Sequence, residues 1–447
     1  MAELQQLGGA LIERALARGA DAADAVVVSG SSISIDVARG VLEHAERAEG
    51  VDLGLRVMLG QRQAIVSASD SSDKTMDEMV DRAVAMAREA PEDPFAGLAP
   101  PDMLARDFDI AALELADPSA EPSPKALEED ARAAEAAALG IEGVSQVQSA
   151  TAAYGAQEIY LCTSNGFGAG YQRTSRSTSA VAIAGEGTGM ERDYDWESRI
   201  FQADLRAPDD IGRQAGERAV ARLNPRKPAT GTYPVLFDER IASSLIGHLL
   251  MAVNGASVAR GSSWLKDALG EKVLPDALSI VEDPHRPRMA SSRPFDAEGL
   301  PTAKRKIVDQ GVLTGWTLDL SSARKLDMRS TANASRGASS LPSPSNWNIE
   351  LTQGDQSPED LMRDMGHGLL ITSMIGSTIN PNTGDYSRGA AGFWIENGEI
   401  AYPVNECTIA GNLRDMLRRI VPANDARTDF SRVVPSLMIE GMTIAGK

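Results

Sequence analysis

The chain has 447 residues, of which 44 are Lys or Arg and 63 Asp or Glu, giving a formal charge of −19 and a pI near 4.8. At about 150 residues per domain this length suits two or three domains, and the negative field repels phosphate backbones and anionic lipid head groups, which argues against nucleic-acid and membrane partners. A hydrophobic content of 43% with 24% charged residues is ordinary for a soluble globular protein and excludes wholesale disorder.

Leu4, Leu7, Leu11 and Ala15 recur at helical spacing up to Gly19, so the chain should open with an amphipathic helix. Glu3, Glu13 and Arg14 break the apolar run that a signal peptide needs, and no stretch approaches the roughly 20 apolar residues of a membrane span. With only Cys162 and Cys407 and no disulfide framework, a cytoplasmic protein is expected. Residues 23–29 and 31–38, separated by Ser29-Gly30, and the alternating Leu53, Leu55, Val57 and Leu59 read as consecutive hairpins. Met76, Val80, Ala83 and Ala87 then form one stripe of a helix opened near Ser72-Asp73 and stopped by Pro91, which makes residues 1–90 an α+β unit.

Residues 91–130 hold seven prolines and eleven acidic against two basic residues, a composition that favours a solvated connector, and the linker is placed at 91–124. Ser123-Pro124 suits a helix start, residues 143–205 carry short β patterns with an Asn165-Gly166 turn, and a helix over 208–222 closes a middle unit of residues 125–223. Beyond the Asn224-Pro225 break, residues 230–447 read as a β-rich C-terminal domain. The expected fold class is α+β: two small N-terminal α/β units followed by this domain.

Chemistry-bearing residues are sparse. His44, His285 and His367 sit in polar or glycine-flanked stretches that suit surface or turn positions. Gly185-Glu186-Gly187-Thr188-Gly189 lacks the Lys-Ser/Thr and following helix of a phosphate loop and reads as a hairpin. Cys162 and Cys407 lie in probable strands as small buried residues. The most informative stretch runs from Asp238 to Gly255: Ile241, Leu245, Leu249 and Ala252 share a face, Asp238 can cap the start and Asn254-Gly255 the end, so a buried helix is expected. Ser244 and His248 lie at i and i+4 on it, but a hydroxyl inside a helix without a nucleophile elbow or an acidic orienter makes a poor hydrolase nucleophile.

The segment SSISIDVARGVLEHAERAEGVDLGLRVMLGQRQAIVSASD near the start, GAAGFWIENGEIAYPVNECTIAGNLRDML near the end and the closing PSLMIEGMTIAG resemble the TldD/PmbA family, in its PmbA (TldE) branch. The resemblance implies a cytoplasmic zinc metallopeptidase built from a TldD and a TldE subunit, which processes peptides and degrades unfolded or small proteins. It implies an HExxxH helix and a C-terminal cysteine as the zinc ligands of the TldD subunit. Laid on this chain by the Gly-His step, that motif falls on Ser243, Ser244 and His248, and no cysteine follows Cys407. A serine is a poor Zn²⁺ ligand and cannot replace a carboxylate base near neutral pH. The chain should therefore hold no metal and be inactive alone, with zinc in a TldD-like partner. Whether the chain forms a homodimer when that partner is absent is left open, and a stand-alone peptide-binding or chaperone-like protein without protease activity is the alternative.

A β-rich domain can hold an extended peptide by strand addition. Two polar, turn-rich segments, carrying Asn333 and Arg336 in one and Asp385, Tyr386 and Ser387 in the other, are read as lining such a groove, with ordinary solvated loops as the equal alternative.

Overall fold

β-Branched and alternating apolar residues through the first 200 positions build six long antiparallel strands: β1 (Ala22–Ala38), β2 (Val41–Leu59), β3 (Arg62–Ala68), β4 (Val144–Thr163), β5 (Gly168–Ala184) and β6 (Glu191–Arg199). A computed structural model, which describes residues 1–446 apart from the side chains of Ser377 and Thr378, places them in one sheet of order β3-β2-β1-β4-β5-β6. The N-terminal and middle segments thus share a sheet, joined where β1 pairs β4, Val28 opposite Ile159.

Ser29-Gly30 is not a turn, contrary to the hairpin expectation. Apolar alternation continues on both sides of it, Gly30 faces Gly50 on β2, and β1 passes through unbroken for 17 residues. The backbone of β4 explains the glycine, because a Cβ at position 30 would stand 3.0 Å from the Ala156 carbonyl.

Helices cover the sheet. On one side α1 (Ala2–Ala17) and α2 (Asp73–Glu89) bury Leu4, Leu11, Met76, Val80 and Ala83 against Leu53, Leu55 and Val57; the Ser72 hydroxyl accepts from the Thr75 amide and caps α2. Towards the other end α3 (Pro124–Leu139), capped by Ser123, and α4 (Pro208–Ala221) meet through Ala134, Ala138, Ala215 and Ala219. Their approach is close because position 212 is glycine; a Cβ there would lie 1.9 Å from the Ala134 carbonyl oxygen. Residues 91–123 have no regular structure beyond one short 3₁₀ turn at Ala111–Leu113, yet Ala99, Ala105, Leu113 and Leu115 are buried. Leu113, Leu115 and Ala105 pack with Phe167 and Phe295, so the acidic, proline-rich stretch is anchored by its few apolar side chains rather than solvated throughout.

The C-terminal part is β-rich. Strands β7 (Gly231–Phe237), β8 (Gly368–Ile379), β9 (Asp385–Glu396), β10 (Glu399–Asn412) and β11 (Leu437–Ala445) follow the order β10-β9-β8-β7-β11, and β11 also pairs β10, closing a five-stranded ring. Alternation along β7 divides two cores: Val235 and Phe237 join one, Leu236 the other with Leu361 and Met438. Helix α5 (Glu239–Ala252) starts directly after β7 and buries Ala242, Leu245, Ile246 and Leu249 in the first of these. Beside the ring lies a sheet of short strands that includes Ile280–Glu282, Ile349–Leu351 and Arg432–Val433.

Candidate functional site

Helix α5 is held at its start by the Asp238 carboxylate, which accepts from the Arg240 amide at 3.1 Å. Its apolar stripe faces the ring core, which leaves the remaining positions to two different surroundings. Ser243, with Glu239 and Arg240 one turn earlier, lines a large cavity between the N-terminal sheet and the C-terminal part. His248 turns toward β9, its ring edge-on to Tyr386 at 5.9 Å between centroids.

The surroundings of His248 favour a neutral ring. Burial and the nearby Arg388 guanidinium push its pKa down to about 4, and Nε2 has no hydrogen-bond partner among the described residues. The same holds for the buried Ser244 hydroxyl one turn earlier. Tyr386 is enclosed, donates to Met374 Sδ at 3.3 Å, and has its phenol raised to about 12 by burial. Among the described residues no carboxylate is paired with the imidazole, so the Ser244–His248 pair lacks the acidic orienter of a hydrolase triad.

The five residues read as a groove are not brought together as one surface. Asp385 is exposed and accepts from Thr383 Oγ1 at 2.6 Å and Asn412 Nδ2 at 3.1 Å, bonds that lower its pKa. Its neighbour Ser387 is half-buried and Tyr386 is in the core. Asn333 is fully enclosed, donating to Glu282 at 3.0 Å and to the Ser345 carbonyl at 2.8 Å. Arg336 is equally enclosed and paired with Asp24 of β1. Of the polar segment Ser330–Gly337, these two side chains hold parts of the chain together and do not face solvent.

Zinc does not fit the α5 residues. Hydroxyls stand at 243 and 244, Ser243 opens to the cavity while His248 packs on Tyr386, and among the described residues no three His, Cys, Asp or Glu side chains are grouped to hold a metal ion. Cys407 sits inside β10 with Sγ 3.2 Å from the Ala390 carbonyl, and burial raises its thiol to about 11, far from the thiolate a metal requires. His44, His285 and His367 are exposed and scattered.

The cavity was invisible to motif reading because its walls come from stretches far apart in the chain. It measures about 880 Å³ and is lined by β1, β4, β5 and β6, by the first turns of α5, and by residues 288–291 and 427–434. Seven arginines reach it, with three carboxylates, Asp195, Glu239 and Asp429. Burial and the adjoining Asp238 push the Glu239 carboxyl upward. Along β6 the side chains of Asp193, Asp195 and Glu197 are buried and matched by Arg218, Arg222, Arg240, Arg206 and Arg427, while the alternating Tyr194 and Trp196 are exposed and line the cavity.

A mixed α+β chain whose C-terminal ring cradles one helix beside a long N-terminal sheet is the architecture of a metallopeptidase family. Models of the PmbA/TldA metallopeptidase match domain 1 over residues 23–87, the central domain over 117–223 and the C-terminal domain over 230–446. The chain is 39% identical to Metalloprotease PmbA of Escherichia coli O157:H7, over 96% of its length and 93% of that protein. It is 37% identical to the Metalloprotease PmbA homolog of Haemophilus influenzae, over 99% and 96%. Among solved structures it superposes on a candidate modulator of DNA gyrase from Bacteroides thetaiotaomicron with a TM-score of 0.92 at 28% identity, covering all of both chains. TldE from Thermococcus kodakarensis shares the fold, with a TM-score of 0.86 at 20% identity over 98% of this chain and all of that one. The chain belongs to the PmbA/TldD metallopeptidase family.

Proposed function

We propose that this chain is the non-catalytic, TldE-like subunit of a heteromeric cytoplasmic zinc metallopeptidase that processes peptides and unfolded small proteins. The observation that carries the reading is the chemistry of α5: Ser243 and Ser244 occupy the positions of the first histidine and the glutamate of HExxxH, leaving His248 alone and packed against Tyr386. Zinc, its base and its activated water then belong to a TldD-like partner, and this chain supplies surface for assembly and substrate. The full-length similarity to PmbA metalloproteases supports the pairing of such a chain with a catalytic relative.

Co-expression with an HExxxH-bearing paralogue from the same genome tests it. A stoichiometric complex by light scattering, with peptidase activity that neither this chain nor a mixture lacking it displays, is expected. A chain that stays apart from the paralogue and binds peptides tightly by itself would instead support a stand-alone peptide-binding or chaperone-like protein.

A further inference from the structure

The cavity beside α5 has an imbalance of charge at two points. Five of its seven arginines are matched by carboxylates: Arg199 by Glu197 and Asp429, Arg218 by Asp195, Arg240 by Asp193 and Asp238, Arg288 by Glu114 and Asp204, and Arg427 by Glu197. Arg173 and Arg432 form no ion pair among the described residues.

Arg173 lies over the Tyr171 ring and donates to the carbonyls of Ala290 and Ser292, and the neighbouring Arg293 donates to the same two oxygens. Two guanidiniums thus converge on one loop without a carboxylate, and Arg173 Nε is buried with no acceptor. Arg432 is exposed and lies across α5 at Gly247, where a Cβ would stand 3.4 Å from its Nη1, one turn beyond Ser243. In a protein of charge −19 an unneutralised cationic locus is a choice of the fold, since acidic residues are plentiful enough to cover it.

The rest of the lining suits a peptide better than a bare anion. Tyr194, Trp196 and Phe430 offer apolar surface, with Trp196 edge-on to Phe430 at 6.0 Å. Hydroxyls such as those of Ser31, Ser177 and Ser243 offer donors that also accept. A second hollow of about 600 Å³ shares Ser31, Gln157, Arg173 and Thr174 with the first, so an extended ligand can continue past Arg173. That hollow carries Glu49, Asp117 and Glu158, of which Glu49 pairs with Arg47 and Glu158 with the N-terminal ammonium.

We infer that this cavity is a binding site for an acidic peptide segment, its carboxylates meeting Arg432 and Arg173 and its apolar side chains lying on Trp196 and Phe430. The inference rests on the reading that this chain handles peptides, and it names the substrate class that the subunit would select. Nucleic acid has the charge but is disfavoured by the negative field of the whole molecule.

Fluorescence anisotropy on the full-length chain tests the site with two labelled peptides of equal length, one with four glutamates and one with glutamines in their places. The glutamate peptide is expected to bind at least tenfold more tightly, and both Arg432→Glu and Ser243→Asp should remove most of that preference while leaving the thermal melt unchanged. Equal affinity for the two peptides overturns the inference. So does a preference that survives both substitutions, or displacement of the acidic peptide by an equally long single-stranded oligonucleotide at the same concentration. If the preference is absent but the chain still forms an active complex with an HExxxH-bearing subunit, the inference fails and the proposed function stands. If the preference is found and no such complex forms, the proposed function fails alone.

Discussion

Arg336 and Asp24, separated by 312 residues, form an enclosed ion pair that ties the C-terminal part to strand β1. The second carboxylate oxygen of Asp24 accepts from Arg56 Nε at 2.8 Å, also out of solvent. Burial works against this carboxylate, and the charges of Arg336 and Arg56 outweigh it, holding the pKa below the ordinary value. The stability this contributes is present above the ordinary carboxylate pKa and is lost as pH falls through and below it. Asp24→Ala should cost about 3–5 kcal/mol, because two buried guanidiniums lose their counter-charge. Chemical denaturation at neutral pH measures it; a change below about 1 kcal/mol would mean that water reaches the pair.

Asp296 and Glu298 behave in the opposite sense. Both are enclosed, and burial raises both carboxyls, Glu298 further through the adjacent Asp296, despite the amides of Leu300, Glu298 and Ala334 that donate to Asp296. The folded state therefore holds protons that the unfolded chain has released, so stability declines as pH rises from the ordinary carboxylate range towards the raised values. Glu298→Gln keeps an acceptor for the Leu320 amide, now met by Glu298 Oε2 at 2.8 Å, and should flatten the decline. Urea midpoints taken between about pH 6.5 and 8.5, above the ordinary histidine pKa, check this. Identical slopes in the two proteins would rule it out.

His248 has a depressed pKa, about 4, so it favours folding when neutral; its contribution is complete above the ordinary histidine value and is lost as pH falls towards 4. His248→Ala should lower stability by about 1–3 kcal/mol through the cavity left beside Tyr386. Turnover of the assembled peptidase should persist, since among the described residues no carboxylate or metal-ligand group stands with the imidazole. A large loss of rate at unchanged melting temperature and unchanged assembly would show that His248 reaches the partner's site.

At the contact of α3 and α4, Gly212→Ala would drive a methyl into the Ala134 carbonyl, whose oxygen lies 1.9 Å from the position the new carbon would take. Backbone cannot yield as a flexible side chain can, so the helices must separate. A loss of about 1–3 kcal/mol is expected, read as a lower melting temperature; a neutral effect would indicate that α4 slides freely on α3.

Periodic elements could be read directly from the residues. The stripe of Met76, Val80 and Ala83, the Ser72, Ser123 and Asp238 caps and the buried α5 all carry local signals that tertiary contacts reinforce. Ser29-Gly30 misled because the same dipeptide serves a turn or a close strand crossing, and only the Ala156 backbone decides which. Asn333 and Arg336 misled for a related reason: their partners, Glu282 and Asp24, lie 51 and 312 residues away, so polar residues that look solvated are internal ties. The cavity had no motif at all, since Arg173, Ser243 and Arg432 meet only after folding.

The most direct test of the central claim is metal content together with peptide cleavage, measured on the purified chain and on its complex with an HExxxH-bearing subunit. The account predicts well below one zinc per chain and no cleavage for this subunit alone, with zinc and activity both appearing in the complex. Stoichiometric zinc located beside His248 by anomalous scattering, accompanied by cleavage from the isolated chain, would contradict it.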